Sequence, residues 1–263
     1  MLVVLCCFGS GLCAQDIGEL LPASAGAWSR VFHSPAAALI NPAVLGMPSA
    51  PAVVLVSKRP FLVKDLSAMQ LYATHPDAGQ GNIFIGCYRF GNPFYAELTL
   101  SAGYGLQLYK WLQLGIAAHG TFSKVKGSVR SFAIMPAISL QYSKGQTLGG
   151  IFMQYRSSPA LPIPAPYWIV GAGIGRDWSG QLYTDLILYY SYQNGFNSMV
   201  SVQYQVLQAW CLAFRVQTRP FRYSFETGYQ KNRFSIRVCT DWHPQMGFSP
   251  GILLCYQAKS SNN

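Results

Sequence analysis

Few residues of this chain have the types and spacing that catalysis or metal binding requires. Its four histidines fall in separate segments, at His33, His75, His119 and His243. Only His119 lies near both a serine, Ser101, and an acid, Glu97, on consecutive predicted strands, as a serine hydrolase would need. A polar histidine on the inner face of a sheet is the simpler interpretation. We therefore predict no catalytic residue, no metal site and no cofactor.

A glycine run and the cysteines, which often signal chemistry, also point to structural roles. Gly171-Ala172-Gly173-Ile174-Gly175 superficially matches a dinucleotide-binding fingerprint, but it lies inside a predicted strand and opens no helix. Four cysteines stand singly within predicted strands, at Cys87, Cys211, Cys239 and Cys255. They lack metal-ligand spacing, so we expect small inward-facing residues. Their disulfide state stays open because spacing alone does not define a pairing.

One group of charged residues does have a physical logic. Arg215, Glu226 and Arg237 share the polar parity of three consecutive predicted strands, so their side chains should point to the same side of the sheet. Two interpretations remain: a charge ladder that braces the sheet, or a contact site for an anionic ligand. Arg219 and Arg222 at the rim would enlarge a positive mouth in the second case.

The elements that must position these residues are strands, because a period of two runs through most of the chain. In the segments 221–230 and 234–241, apolar and polar residues alternate, so each strand has one apolar and one polar face. Small polar residues and glycines on the polar face would make an unusual soluble exterior but suit the interior of a membrane barrel. The predicted outward residues include Phe214, Tyr223, Phe225, Phe234, Ile236 and Ile252, and the inward ones Arg215, Glu226, Arg237 and Cys239.

Composition agrees with a surface that faces lipid. Hydrophobic residues make up 51% of the 263 and charged residues 11%, against roughly 25% charged in soluble domains. The formal net charge of +10 comes without a Lys/Arg run, so contact with anionic lipid is a simpler explanation than nucleic acid. Residues 1–15 are apolar and end in small residues, as a signal peptide does, which predicts export to the outer membrane of a Gram-negative cell.

The strands predict an all-β fold: a closed antiparallel transmembrane barrel of about 14 strands over residues 51–257, with 258–263 as a C-terminal tail. Their lengths suit tilted strands that cross a bilayer. Short turns, expected on the periplasmic side, largely alternate with longer loops, and 75–80 is the exception. The predicted strands are 51–58, 65–74, 81–90, 95–109, 112–124, 131–143, 147–155, 167–176, 180–192, 197–207, 209–218, 221–230, 232–242 and 247–257.

Residues 16–50 break this pattern and are expected to form a short helical or irregular plug. The stretch is too apolar for solvent, and its prolines prevent a regular spanning helix. The barrel lumen or its periplasmic mouth is therefore the natural place for it. Asn41, Pro42 and Ala43 should mark a turn there, with the Asn41 side chain bonded to nearby backbone.

Three motifs resemble the FadL-like outer-membrane proteins, and most of all the PorV/PorQ-like group of Bacteroidetes. Residues 34–46, Ser-Pro-Ala-Ala-Ala-Leu-Ile-Asn-Pro-Ala-Val-Leu-Gly, are similar to the Asn-Pro-Ala-Gly-Leu-Ala signature near the mature N-terminus of that family. Residues 242–250 resemble its last loop, and 90–97 are also similar. Val44 replaces the usual glycine, and the chain lacks a terminal aromatic residue. The resemblance implies a fourteen-stranded barrel with an N-terminal segment in or under the lumen.

The resemblance implies two functions. One is a PorV/PorQ-like interaction component of type IX secretion, with secretion-system or cargo proteins as partners. The other is a FadL-like channel for hydrophobic or amphiphilic small molecules. A continuous apolar tunnel would favour the channel, whereas a plugged lumen with an exposed apolar rim would favour interaction. The proline-rich loop 157–166 leans towards interaction, because prolines keep an exposed apolar loop stiff.

Overall fold

A computed structural model of the protein describes residues 21–77, 81–127, 130–157, 167–192 and 195–258. Fourteen antiparallel strands form a closed barrel in which each strand pairs with its sequence neighbours and β1 pairs with β14. The strands are β1 (Ala52–Lys58), β2 (Ser67–Pro76), β3 (Gly81–Gly91), β4 (Tyr95–Tyr109), β5 (Leu112–Val125), β6 (Ser131–Lys144), β7 (Thr147–Arg156), β8 (Tyr167–Asp177), β9 (Leu182–Ser191), β10 (Gly195–Leu207), β11 (Trp210–Thr218), β12 (Phe221–Lys231), β13 (Phe234–His243) and β14 (Gly247–Gln257).

The predicted barrel is confirmed, and every predicted strand end lies within two residues of the observed one. The seam is regular: Ala52 lies opposite Gln257, and Lys58 lies opposite Gly251. Closure leaves no strand edge unpaired, as a sheet surrounded by hydrocarbon requires.

The two faces of the wall sort as the alternation predicts. Phe214, Phe225, Phe234, Ile236 and Ile252 are between 42% and 65% exposed, whereas Arg215, Glu226 and Cys239 on the other parity are at most 3% exposed. The exposed face is apolar, and aromatic side chains lie at its ends; the Trp111 ring stacks on that of Tyr109 and meets that of Tyr142 edge-on. Such a wall fits a bilayer with aromatic residues at the interface.

The expectation that all four cysteines face inward is wrong for Cys87. It pairs with Leu71 and Leu100, which are both on the exposed face. A lone cysteine is apolar enough for either face, so alternation within β3, and not residue type, decides its direction. All four cysteines are free thiols.

The two ends of the barrel differ, and we call them the turn end and the loop end. The turn end has the short connections 110–111, 145–146, 208–209 and 232–233, together with the start of β1 and the end of β14. The loop end has the β1–β2 loop, with a short 3-10 helix at Pro60–Leu62, and most of the longer connections. No helix among the described residues is long and apolar enough to cross a bilayer.

Residues 21–51 lie inside the barrel, where they contain two short 3-10 helices, Pro35–Leu39 and Pro42–Gly46. All residues of both helices are buried, and they join one apolar cluster with wall residues such as Tyr72, Phe152 and Ile187. We call residues 21–51 the plug. The predicted signal peptide, residues 16–20, most of the proline-rich loop and residues 259–263 lie outside the described residues.

Candidate functional site

Glycines in the wall make room for the plug at its widest side chain. Trp28 is fully buried; its ring packs against Gly150 on β7 and Gly173 on β8, and its carbonyl and Cβ pack against Gly175 on β8. A Cβ added at Gly150 would lie 2.9 Å from the Trp28 ring, and one at Gly175 would lie 2.8 Å from the Trp28 Cβ. The glycine run at 171–175 therefore has a steric role: it leaves a smooth surface on which an indole can pack.

Asn41 fastens the centre of the plug to the wall. It stands between the two short helices, fully buried, and its Nδ2 donates to the carbonyl of Ala27 at 2.9 Å and also to Gln141 Oε1. Ser139 Oγ donates to Asn41 Oδ1 at 3.0 Å and accepts from the Ala43 backbone N–H at 2.7 Å. The predicted turn is present, but the side chain bonds to a carbonyl fourteen residues earlier and not to its own turn.

Further hydrogen bonds distribute the plug's anchors around the lumen. Gln154 Nε2 donates to the Leu39 carbonyl at 2.8 Å, and Asn82 Nδ2 donates to those of Leu45 and Met47 at 2.6 and 2.7 Å. At the turn end, Asp177 accepts from Ser29 Oγ at 2.5 Å and from the Arg30 backbone N–H at 3.0 Å. The polar anchors of the plug in the described lumen are therefore single side chains, and they act together with the apolar cluster that joins the plug to the wall.

Arg215 and Glu226, two members of the predicted cluster, both bind the start of the plug. Arg215 donates to the carbonyls of Leu21 and Ala23 at 3.0 and 3.3 Å, and to Ser201 Oγ at 3.0 Å. Glu226 Oε1 accepts from the Ala23 backbone N–H at 2.6 Å. One cation and one anion thus bracket a single stretch of backbone, each bonding to the group of opposite polarity.

The other predicted residues lie elsewhere. Arg237 points inward nearer the turn end, where its aliphatic stem crosses Gly228 and its Nε has no hydrogen-bond partner among the described residues. Arg222 is buried and inward at the loop end, whereas Arg219 is exposed there. Parity correctly assigned their faces, but it did not bring the three central residues to one site.

An ion pair near the loop end was missed by the sequence reasoning. Lys58 Nζ lies 2.8 Å from Asp241 Oδ2, with both side chains mostly buried. The two residues are on β1 and β13, on either side of β14, and they meet because the seam closes the barrel. One indication of this pair was present in the sequence, because alternation along β1 and β13 places both Lys58 and Asp241 on the inward face.

A cavity on the loop side of the plug contains the predicted histidine and serine. Ser101 Oγ and His119 Nδ1 are 2.9 Å apart, and both residues are buried on directly opposed positions of β4 and β5. His119 Nε2 has no hydrogen-bond partner among the described residues, so no acid orients the ring. The remaining lining is mixed and includes Leu39, Tyr72, Tyr88, Met135 and Arg156.

A second cavity of about 300 Å³ lies on the turn side, between the plug and the wall. Its plug side includes Pro35, Val44 and Leu45, and its wall side includes Arg237 and Leu253. The short-helix pair therefore borders both cavities, through Leu39 on the loop side and through Pro35, Val44 and Leu45 on the turn side.

Comparison with known proteins identifies similar folds but no protein family. No protein-family model matches the chain, and no curated protein matches it. Among solved structures, the toluene transporter TbuX of Ralstonia pickettii has a TM-score of 0.64 at 11% identity, over 91% of this chain and 98% of that one. The monoaromatic hydrocarbon channel CymD scores 0.61 at 12% identity, over 96% and 98% of the two chains. A FadL homologue of Pseudomonas aeruginosa scores 0.56 at 10% identity, over 91% and 95%. At such identities the likeness establishes the barrel architecture.

Proposed function

We propose that this protein is an outer-membrane channel of the FadL-like kind, which admits hydrophobic or amphiphilic small molecules. The apolar outer wall supports placement in a membrane, with the turn end towards the periplasm and the loop end outside. The solved structures that it resembles include channels and transporters for aromatic hydrocarbons. These neighbours also favour a non-enzymatic role over hydrolysis at Ser101 and His119.

One observation carries the proposal: the lumen has a cavity on each side of a separable plug. Leu39 borders the loop-side cavity, and Val44 and Leu45 border the turn-side cavity. In this proposal a solute passes from one cavity to the other by displacing the short-helix pair, which borders both of them. Its polar contacts with the wall are individual hydrogen bonds, each worth about 1 kcal/mol, and its apolar contacts are non-directional, so the plug can shift without breaking the strand ladder.

The test is to link the short-helix pair of the plug to the wall with a disulfide. In the double variant Asn41→Cys with Ser139→Cys, the sulfurs take the places of Asn41 Cγ and Ser139 Oγ, which lie close together because Ser139 Oγ donates to Asn41 Oδ1 at 3.0 Å. Uptake of a radiolabelled alkylbenzene and of a radiolabelled medium-chain fatty acid is measured in cells that lack their own transporter. Whole cells are required because a plain phospholipid bilayer is itself permeable to apolar solutes.

The oxidised double variant should lose protein-dependent uptake, and a reductant should restore it. Ser139→Cys alone should be insensitive to the reductant, which controls for the free thiols of the wild-type chain. Mass spectrometry verifies the crosslink in the oxidised double variant. If that crosslinked protein admits either solute as fast as the same variant after treatment with the reductant, passage does not require the plug to move and the proposal fails.

A second candidate is the interaction component associated with type IX secretion. The observation in its favour is a filled lumen together with apolar side chains exposed at the loop end: Leu62, Val63 and Phe94 are 60%, 47% and 65% exposed. None of the structural neighbours reported above is described as a secretion protein. Crosslinking in intact outer membranes followed by mass spectrometry distinguishes the two, because only this candidate requires a stable protein partner.

A further inference from the structure

Basic residues interrupt the lipid-facing side of the wall in one sector of the loop end. Arg89 on β3 and Lys124 on β5 are both exposed and share the outward parity of their strands. Lys126 follows in the β5–β6 loop, with its Nζ 5.1 Å above the ring of the exposed Phe94. Elsewhere at this end the outward strand positions are aromatic, hydroxylated or aliphatic, for example Trp168, Tyr190, Thr218 and Phe248. The cations therefore form a patch and not a belt.

Register places the two strand cations around a common apolar pad. Arg89 lies opposite Leu98, and Leu98 lies opposite Phe122, whereas Lys124 lies opposite Ala96. The two cations are therefore two strands and two residues apart, which corresponds to about 12 Å between their Cα atoms. Phe122 also packs against Phe132 on β6, with ring centroids 4.8 Å apart.

Acids are sparse near these cations: the exposed Asp65 lies in the loop before β2, and no acid lies on the outward face of the three strands that carry the patch. Across β3, β4 and β5 the only acid is Glu97, and it is buried on the inward side. Exposed Leu98, Phe122 and Phe132 lie in the same row of paired residues as Arg89, and Lys124 lies two residues nearer the loop end, so the patch combines cations with an adjoining apolar surface. A molecule with separated anionic groups above several acyl chains fits both parts of this surface.

We propose that the patch of Arg89, Lys124 and Lys126 binds the phosphorylated disaccharide head of lipopolysaccharide in the outer leaflet. The phosphates at the two ends of one head group would contact Arg89 and Lys124, and the acyl chains would lie on the aromatic pad. This inference rests on the outer-membrane placement in the proposed function and is independent of what passes through the lumen.

A matched control lies at the opposite end of the barrel. Lys144 on β6 and Arg176 on β8 are also exposed and outward, and both lie opposite Thr147 on the intervening strand. They would face inner-leaflet phospholipid. Two double variants therefore remove equal charge from comparable positions in the two leaflets. The loop-end variant is Arg89→Gln with Lys124→Gln, and the turn-end variant is Lys144→Gln with Arg176→Gln.

The experiment measures lipid binding by the full chain in detergent. Purified lipopolysaccharide, the same lipid without its phosphates, and phosphatidylglycerol are titrated against the wild type and both double variants. Loss of the loop-end pair should weaken lipopolysaccharide binding by roughly 30-fold, while the turn-end pair leaves it unchanged. Removing the phosphates from the lipid should reproduce the loss in the wild type.

Equal weakening by both double variants, or equal binding of lipopolysaccharide and phosphatidylglycerol, would overturn the proposal. So would unchanged binding by the loop-end variant. Heat-modifiable gel migration verifies that each variant is folded, and fractionation of the same cells verifies its location. Because the readout is lipid affinity, this inference can fail while the channel stands, and a failed uptake test leaves it intact unless the protein is absent from the outer membrane.

Discussion

Asn41→Ala should weaken the docking of the plug without unfolding the barrel. The substitution removes hydrogen bonds to Ala27, Gln141 and Ser139 at a position with no solvent exposure. Each bond contributes about 1 kcal/mol, so the plug should lose about 3 kcal/mol of docking free energy. The wall should keep its stability, because the strand ladder contains none of these bonds.

Native-state hydrogen exchange, resolved by mass spectrometry, measures this loss directly. A 3 kcal/mol change in the opening free energy corresponds to roughly 150-fold faster exchange for amides that are protected only by docking. We expect that acceleration in peptides covering residues 35–47 and little change in peptides from the strands.

Ser49→Ala provides the matched control. It deletes one partly buried bond to Asn82 at the end of the plug, and it should accelerate exchange less than tenfold. The reasoning is refuted if Asn41→Ala exchanges no faster than Ser49→Ala, or if the strands accelerate together with the plug. The second result would mean that plug and wall form one cooperative unit.

Two further predictions concern the wall. Val238 is 60% exposed at an outward position in the middle of β13, and Val238→Arg should make barrel assembly less favourable by about 2–4 kcal/mol. Cys239→Ala at the adjacent inward position should make it less favourable by about 1 kcal/mol or less. Heat-modifiable gel migration compares the folded fractions of the two variants. Gly173→Val should expel the Trp28 ring from its place on the wall and accelerate exchange in the plug, and adding Trp28→Ala should partly restore protection because it removes the clash. An additive effect of these two substitutions would contradict the steric role assigned to the glycine.

The sequence predicts the wall well because the information is local. Alternation within a strand determines the face of each residue, and turn residues determine where strands end, so the faces of Phe225 and Glu226 follow without knowledge of their neighbours. Contacts across the lumen are different. Arg215 and Glu226 are inward as expected, but their common partner is the backbone at residues 21–23, about 200 positions away. Alternation contains no information on how deep the plug lies, so neither that contact nor the Asn41 network could be derived from it.

The anchors of the plug also define an order of events during biogenesis. Residues 21–51 precede every strand in the chain, yet their partners are spread from Asn82 on β3 to Glu226 on β12. The segment that comes before the wall in the sequence therefore finds its last partner only when most of the wall exists. Until then its apolar surface, including Trp28 and both short helices, has no place to bury, and it must be shielded or remain extended. The plug is joined directly to β1, the strand whose pairing with β14 closes the barrel, so one continuous stretch of chain takes part in both plug docking and barrel closure.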